Sequence, residues 1–115
     1  MSLAPVTLLA AERLQPTRDV AATLRAARVS GRHLVLHHRD RGDQNSPRLT
    51  VVASRRVGAA VQRNRAKRLL REAARALTWP VGTDIVLVAR PGMATANLGS
   101  ISADLADLRG RAGWL

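Results

Sequence analysis

The sequence predicts a mixed fold with α+β or α/β layering, in the order helix, strand, strand, helix, strand, helix. Three observations predict it. A segment from about Ala60 to Leu77 repeats its apolar residues at helical spacing. Two short apolar runs, Leu34-Val35-Leu36 and Leu49-Thr50-Val51-Val52-Ala53, flank a polar stretch. A third run, Ile85-Val86-Leu87-Val88-Ala89, is continuously apolar, which suits a strand buried on both faces.

The first helix is expected from about Arg18 to Ala27, with Thr17 as its cap and Gly31 ending it a few residues later. Val20, Leu24 and Ala27 fall on one side of it, at spacings of four and three. The run His33 to His38 is the first strand. The polar stretch Arg39-Asp40-Arg41-Gly42-Asp43-Gln44-Asn45-Ser46-Pro47 reads as a turn, and Leu49 to Ala53 as the second strand, so the two are expected as an antiparallel hairpin. Gly58 breaks the second strand before the long helix, which Pro80 and Gly82 close. Pro91 and Gly92 terminate the third strand. Ile101, Leu105 and Leu108 then mark a last short helix, with Ser100 as its cap.

The chain has 115 residues and is expected as a single domain over 1–115, with a core at about 14–110 and flexible ends at 1–13 and 111–115. With no cysteine, disulfides and thiolate metal sites are excluded. No run approaches the roughly 20 apolar residues that cross a bilayer, and Glu12 and Arg13 interrupt the N-terminal apolar stretch too early for a signal peptide. A cytoplasmic protein is expected.

Charge is the strongest global feature. Nineteen Lys and Arg residues against eight Asp and Glu give a net charge of +11. Such a field repels the folded chain itself and is best tolerated when a polyanion neutralises it. The cations gather on the long helix. Each residue advances about 100° around the axis. Ala66, Leu69, Leu70, Ala73 and Leu77 then fall within an arc of roughly 100°, a stripe that faces a core. Arg63, Asn64, Lys67, Arg68, Arg71 and Arg75 occupy a separate arc of roughly 140°, with Arg65 apart on the flank. Like charges three and four residues apart destabilise a helix by a few tenths of a kcal/mol per pair. A merely solvated face would interleave acids, yet Glu72 is the one carboxylate between Arg55 and Arg75. Phosphates docking on this face would relieve the repulsion, and Arg55 and Arg56, just before the helix, extend the patch.

The linear string Ser54-Arg55-Arg56-Val57-Gly58, then Ala60-Val61, then Arg63-Asn64-Arg65-Ala66-Lys67-Arg68-Leu69-Leu70-Arg71-Glu72 resembles the signature of the bacterial ribonuclease P protein family. Arg28 to Leu36 looks like that family's turn and first strand, and Asp84 to Gly92 like its late strand. The resemblance implies an α+β two-layer α–β sandwich, with room for an extra short strand and with the motif helix in a left-handed β-α-β crossover. It implies RNA binding by Arg55, Arg56, Arg63, Asn64, Arg65, Lys67, Arg68 and Arg71. It further implies a cleft for the 5′ leader of precursor tRNA, whose matching positions here are Val20, Leu24 and His37. The partners implied are the ribonuclease P catalytic RNA and precursor tRNA, with no membrane and no small-molecule substrate. The reaction implied is endonucleolytic hydrolysis of a phosphodiester. It is carried out by the RNA with Mg²⁺ held by the RNA, so no catalytic or metal-ligating residue and no cofactor is expected in the protein.

The sequence departs from that family in one respect. Aromatic residues usually line the leader cleft, and this chain has no Phe or Tyr. Stacking supplies about 1–3 kcal/mol per base. Leader contact is expected here from backbone charge and from Val20 and Leu24, with partial stacking open to His37.

Other readings are weaker. His33 and His37 share a strand face but lack a placed carboxylate or Cys to complete a metal site. The acids are scattered, whereas a two-metal nuclease needs several converging on the ions. Trp79 reads as a helix-end packing residue and Trp114 as a tail residue. A ribosomal or general RNA-binding protein would share the basic helix. A membrane-surface helix would need bulkier residues than Ala66, Ala73 and Ala74.

Overall fold

The computed structural model describes residues 5–7, 12–13 and 17–114. Its elements are β1 (Pro5–Thr7), β2 (Glu12–Arg13), α1 (Thr17–Arg25), β3 (Ala27–Ser30), β4 (Leu34–Asp40), β5 (Arg48–Val52), α2 (Ala60–Arg75), β6 (Thr78–Pro80), β7 (Thr83–Ala89) and α3 (Leu98–Arg111). A 3₁₀ turn at Pro91–Ala94 precedes α3. The fold is α+β, and β1, β2, β3 and β6 are short strands added to the expected order.

The main sheet runs β2-β5-β7-β4-β3. β4 is antiparallel to β7 and β3 antiparallel to β4, whereas β5 is parallel to β7. The expected hairpin of His33–His38 with Leu49–Ala53 is therefore corrected: the two strands run in opposite directions but β7 lies between them. The physical reason is twofold. β7 is buried along nearly all its length and needs a ladder on both edges. Its one carboxylate, Asp84, stands level with Arg39 on β4 and Arg48 on β5, so the interposed position pairs the charge from both sides. β5, α2 and β7 make the parallel crossover that carries the basic helix.

Alternation divides the sheet into two faces. Leu34 and Leu36 of β4, Ile85 and Leu87 of β7, and Leu49 and Val51 of β5 point to one face. There they meet Ala66, Leu69, Leu70, Ala73 and Ala74 of α2 and Ile101, Leu105 and Leu108 of α3. The expected core stripe of the long helix is buried, with Leu77 half-buried just beyond the helix end. Its alanines let the helix lie close to the sheet. Trp79 is fully buried and its indole Nε1 donates to the Ala74 carbonyl at 3.1 Å, so it satisfies the end of α2. Trp114 packs edge-on against Trp79 and against His38.

The first helix stops at Arg25, earlier than expected, because Ala27–Ser30 is drawn into the sheet as an edge strand. Gly31 is then the turn between β3 and β4. A Cβ there would lie 2.7 Å from the Asp104 carboxylate, which accepts the main-chain N–H of His33 at 2.8 Å. α3 is capped by Asn97, not by Ser100; the Ser100 N–H donates to the Asn97 side chain at 2.8 Å.

Candidate nucleic-acid interface

The interface is built from the turn after β5 and from α2. Val57 is buried and pins the turn, and its N–H donates to the Ser54 carbonyl at 3.0 Å. Gly58 follows with a φ of +148°, a conformation other residues rarely adopt, and donates to the Arg55 carbonyl at 3.2 Å. This tight path leaves Arg55 and Arg56 exposed just ahead of the helix. The N-cap residue Ala59 offers no side-chain cap, and no acid occupies the first turn. The start of α2 thus adds its own positive end to the flanking guanidinium groups.

On α2 itself, Asn64, Arg68 and Arg71 are exposed, and Arg63 and Lys67 are half-buried at the edge of the face. Among the described residues, the side chains of Arg55, Arg56, Arg63, Lys67 and Arg71 have no hydrogen-bonding or ion-pairing partner within the chain. Arg68 alone meets an acid, Glu72 one turn on, at a loose 3.8 Å with both side chains solvated. An exposed pair of this kind contributes little. The structure therefore brings these cations together on one outward surface and leaves them unneutralised.

Arg65 stands apart from them. Its guanidinium reaches back over the 3₁₀ turn and donates to the carbonyls of Ala96 (2.8 Å), Met93 (3.4 Å) and Ala94 (3.5 Å). The helical wheel places Arg65 on the flank of the basic arc, and that flank faces the segment that leads into α3.

The other face of the sheet carries α1. Val20 is half-buried, Leu24 is 38% exposed, and His37 of β4 lies beneath them at 8% exposure. The three expected cleft residues are thus gathered in one place. Beyond the helix, Val35, Val88 and Val52 continue the same face half-buried, an apolar strip open to one side. Burial lowers the His37 pKa from its ordinary value; the adjacent Leu24 main chain opposes this in part, and Arg28 adds to it. Its Nδ1 is buried without a hydrogen-bond partner.

The most organised polar group was not singled out from the sequence. Asp84 is fully buried and accepts from Arg39 Nη2 at 3.1 Å, Arg41 Nη1 at 2.6 Å, and Arg48 Nε and Nη2 at 2.8 Å each. Burial would raise its pKa, but the hydrogen bonds from Arg48 and Arg41 override that and hold it below the ordinary carboxylate range. Asp19 of α1 lies 3.6 Å from both Arg39 and Arg48, which ties the helix to the sheet. The one available signal was a lone acid at the start of an apolar run. Among the described residues, no His, Asp and Glu side chains gather in a group able to hold a metal ion, and no helix is long and apolar enough to cross a membrane.

A family profile described as Ribonuclease P matches residues 8–113. The chain is 38% identical over 103 residues to the ribonuclease P protein component of Acidothermus cellulolyticus, covering 86% of each protein. Among solved structures it is similar to the RNase P protein from Thermotoga maritima, with a TM-score of 0.73 and 28% identity over 87% of this chain and 96% of that one. It shares its fold with the Staphylococcus aureus RNase P protein, at a TM-score of 0.76 and 23% identity over 89% of this chain and 95% of that one.

Proposed function

The chain belongs to the ribonuclease P protein family, and from that premise we propose that it is the RNA-binding subunit of a ribonuclease P holoenzyme that removes the 5′ leader from precursor tRNA. The observation that carries the reading is the outward row of cations on α2 and the turn before it, of which Arg68 alone meets an acid, and that loosely. Arg55, Arg56, Arg63, Lys67, Arg68 and Arg71 meet phosphates of the catalytic RNA, and Asn64 adds a neutral hydrogen-bonding group among them. The net charge of +11 supports a polyanionic partner.

On the opposite face, the cleft formed by Val20, Leu24 and His37 receives the precursor leader. The apolar strip beyond it gives sugars and bases a surface without an aromatic platform. In this reading the protein supplies no catalytic residue. The phosphodiester is hydrolysed at the RNA, which holds the Mg²⁺, and this chain binds, screens phosphate repulsion between two RNAs and positions the substrate. The holoenzyme would work in the cytoplasm.

Reconstitution tests the proposal. Precursor tRNA is incubated with the catalytic RNA at low Mg²⁺, with and without this protein. The protein should restore cleavage at the leader junction and should favour precursor over mature tRNA in binding. Equal binding of both tRNAs, with no effect on cleavage, would leave only a general RNA-binding protein.

A further inference from the structure

The motif helix carries two kinds of arginine. Arg68 and Arg71 point to solvent, whereas Arg65 spends its guanidinium on its own chain, with three main-chain carbonyls between Met93 and Ala96 as acceptors. We infer that Arg65 is a positioning residue, which clamps the 3₁₀ turn and the start of α3 against α2 and so shapes the edge of the RNA-binding surface without itself binding phosphate. The inference rests on the reading of α2 as the RNA-binding helix.

The geometry favours this role over a phosphate contact. The Met93 carbonyl already accepts the Ala96 N–H at 3.4 Å, but among the described residues the Ala94 and Ala96 carbonyls take no main-chain N–H and need another donor. A planar guanidinium presents several N–H groups at fixed angles and reaches carbonyls that lie on successive residues; a lysine ammonium lacks that fork. The clamped segment is already anchored from inside by Met93, which is fully buried, while Pro91, Gly92, Thr95 and Asn97 are exposed. Arg65 therefore fixes the height and tilt of an exposed ledge beside the cations of α2. Asn97, which caps α3, sits at the end of that ledge.

Salt dependence separates the two roles. Each phosphate contact contributes about 0.7–0.9 to the slope of log affinity against log salt concentration. The full-length protein and its R65A, R65K and R68A variants are titrated with the cognate ribonuclease P RNA across a salt series, well below the melting temperature of each variant. R68A should lower the slope by about one. R65A should keep the parent slope yet weaken binding by about 2- to 30-fold, as a residue acting through its neighbours does. R65K keeps the charge and should also bind more weakly, and amide exchange over Met93–Asn97 should quicken in both Arg65 variants. If R65A fails to fold, R65K and its exchange pattern decide alone. A slope lowered by about one in R65A, or full affinity in R65K, would make Arg65 a phosphate ligand and overturn the inference. Unchanged affinity in R65A would overturn it in favour of a stabilising role only. A flat response in R68A would instead sink the reading of α2 itself, and the inference with it.

Discussion

Arg48 grips Asp84 with two parallel hydrogen bonds across neighbouring parallel strands, Nε to Oδ1 and Nη2 to Oδ2, both at 2.8 Å. Asp84 is fully buried, so the pair is shielded from water on the carboxylate side. Arg39 and Arg41 complete the shell around the same carboxylate. Three segments of chain, β4, the loop after it and β5, are thereby tied to the start of β7. The basic helix α2 departs from β5 and the chain returns to the sheet as β7, so the group also fixes the base of the crossover.

Replacing Asp84 by Asn or Ala would leave those guanidinium groups crowded together without their carboxylate. Breaking a buried pair on one side costs about 3–5 kcal/mol. For a chain of this size that corresponds to a fall in melting temperature of about 10 °C or more. Thermal unfolding of D84N checks it, and a loss of less than about 1 kcal/mol would show that the group is incidental to stability. Because α2's cations are elsewhere, the salt slope of RNA binding in the folded variant should stay at the parent value.

Acid should destabilise the protein in two separate windows. Burial lowers the His37 and His38 pKa values in the folded state, with the Leu24 main chain and Arg28 acting on His37 and His37 acting on His38. The unfolded chain then binds more protons below its ordinary value of 6.5. Stability is accordingly complete above that pH and lost as pH falls towards the folded values. Asp84 and Asp43 are held below 3.8 by arginine hydrogen bonds, so their contribution is lost only as pH falls further, through those lowered values. Denaturant titrations from about pH 8 to about pH 1 check both. The double variant His37→Gln/His38→Gln should flatten the first window and leave the second. A stability that stays constant between pH 7.5 and 5 would refute the histidine assignment.

Much of this architecture was legible because it is periodic. Ala66, Leu69, Leu70 and Ala73 repeat at helical spacing and are buried, and Ile85 to Ala89 is a strand with little exposed surface. What stayed hidden is non-local. Leu34–Leu36 and Leu49–Ala53 flank a polar turn, the local pattern of a hairpin, and nothing local reveals that β7 enters between them. β3 is an exposed edge strand without alternation, so Ala27 looked helical. Exposure of the basic face was readable from charge spacing. The separate duty of Arg65 was not, because its partners lie about thirty residues away, among carbonyls that have no sequence signature.

Lys67 separates function from stability. Arg63, Lys67, Arg71 and Arg75 follow one another at intervals of four along α2, so every neighbouring pair repels. K67E would turn two repulsive pairs into attractive ones and raise stability by about 0.5–1 kcal/mol. The same change places a carboxylate on the face proposed to receive the RNA phosphates, and affinity for the catalytic RNA should then collapse. Calorimetry and RNA titration on one preparation read both effects. A variant that is more stable and still binds RNA normally would dissociate this face from the partner.

The cleft invites a gain of function. Leu24 sits on the exposed flank of α1 at 38% exposure, so a larger ring there reaches solvent rather than overpacking the core. Its neighbours Val20 and His37 form the floor, where the one small imidazole ring is nearly buried and leaves no broad π-face for an unpaired base. Stacking on an aromatic side chain is worth about 1–3 kcal/mol per base, so L24F should tighten binding of precursor tRNA by about 5-fold or more. Mature tRNA has no leader to stack and should bind as before. A ratio of precursor to mature affinity that does not move would place the leader elsewhere, whereas a ratio that rises would locate it over α1 and account for the modest cleft chemistry of the parent chain.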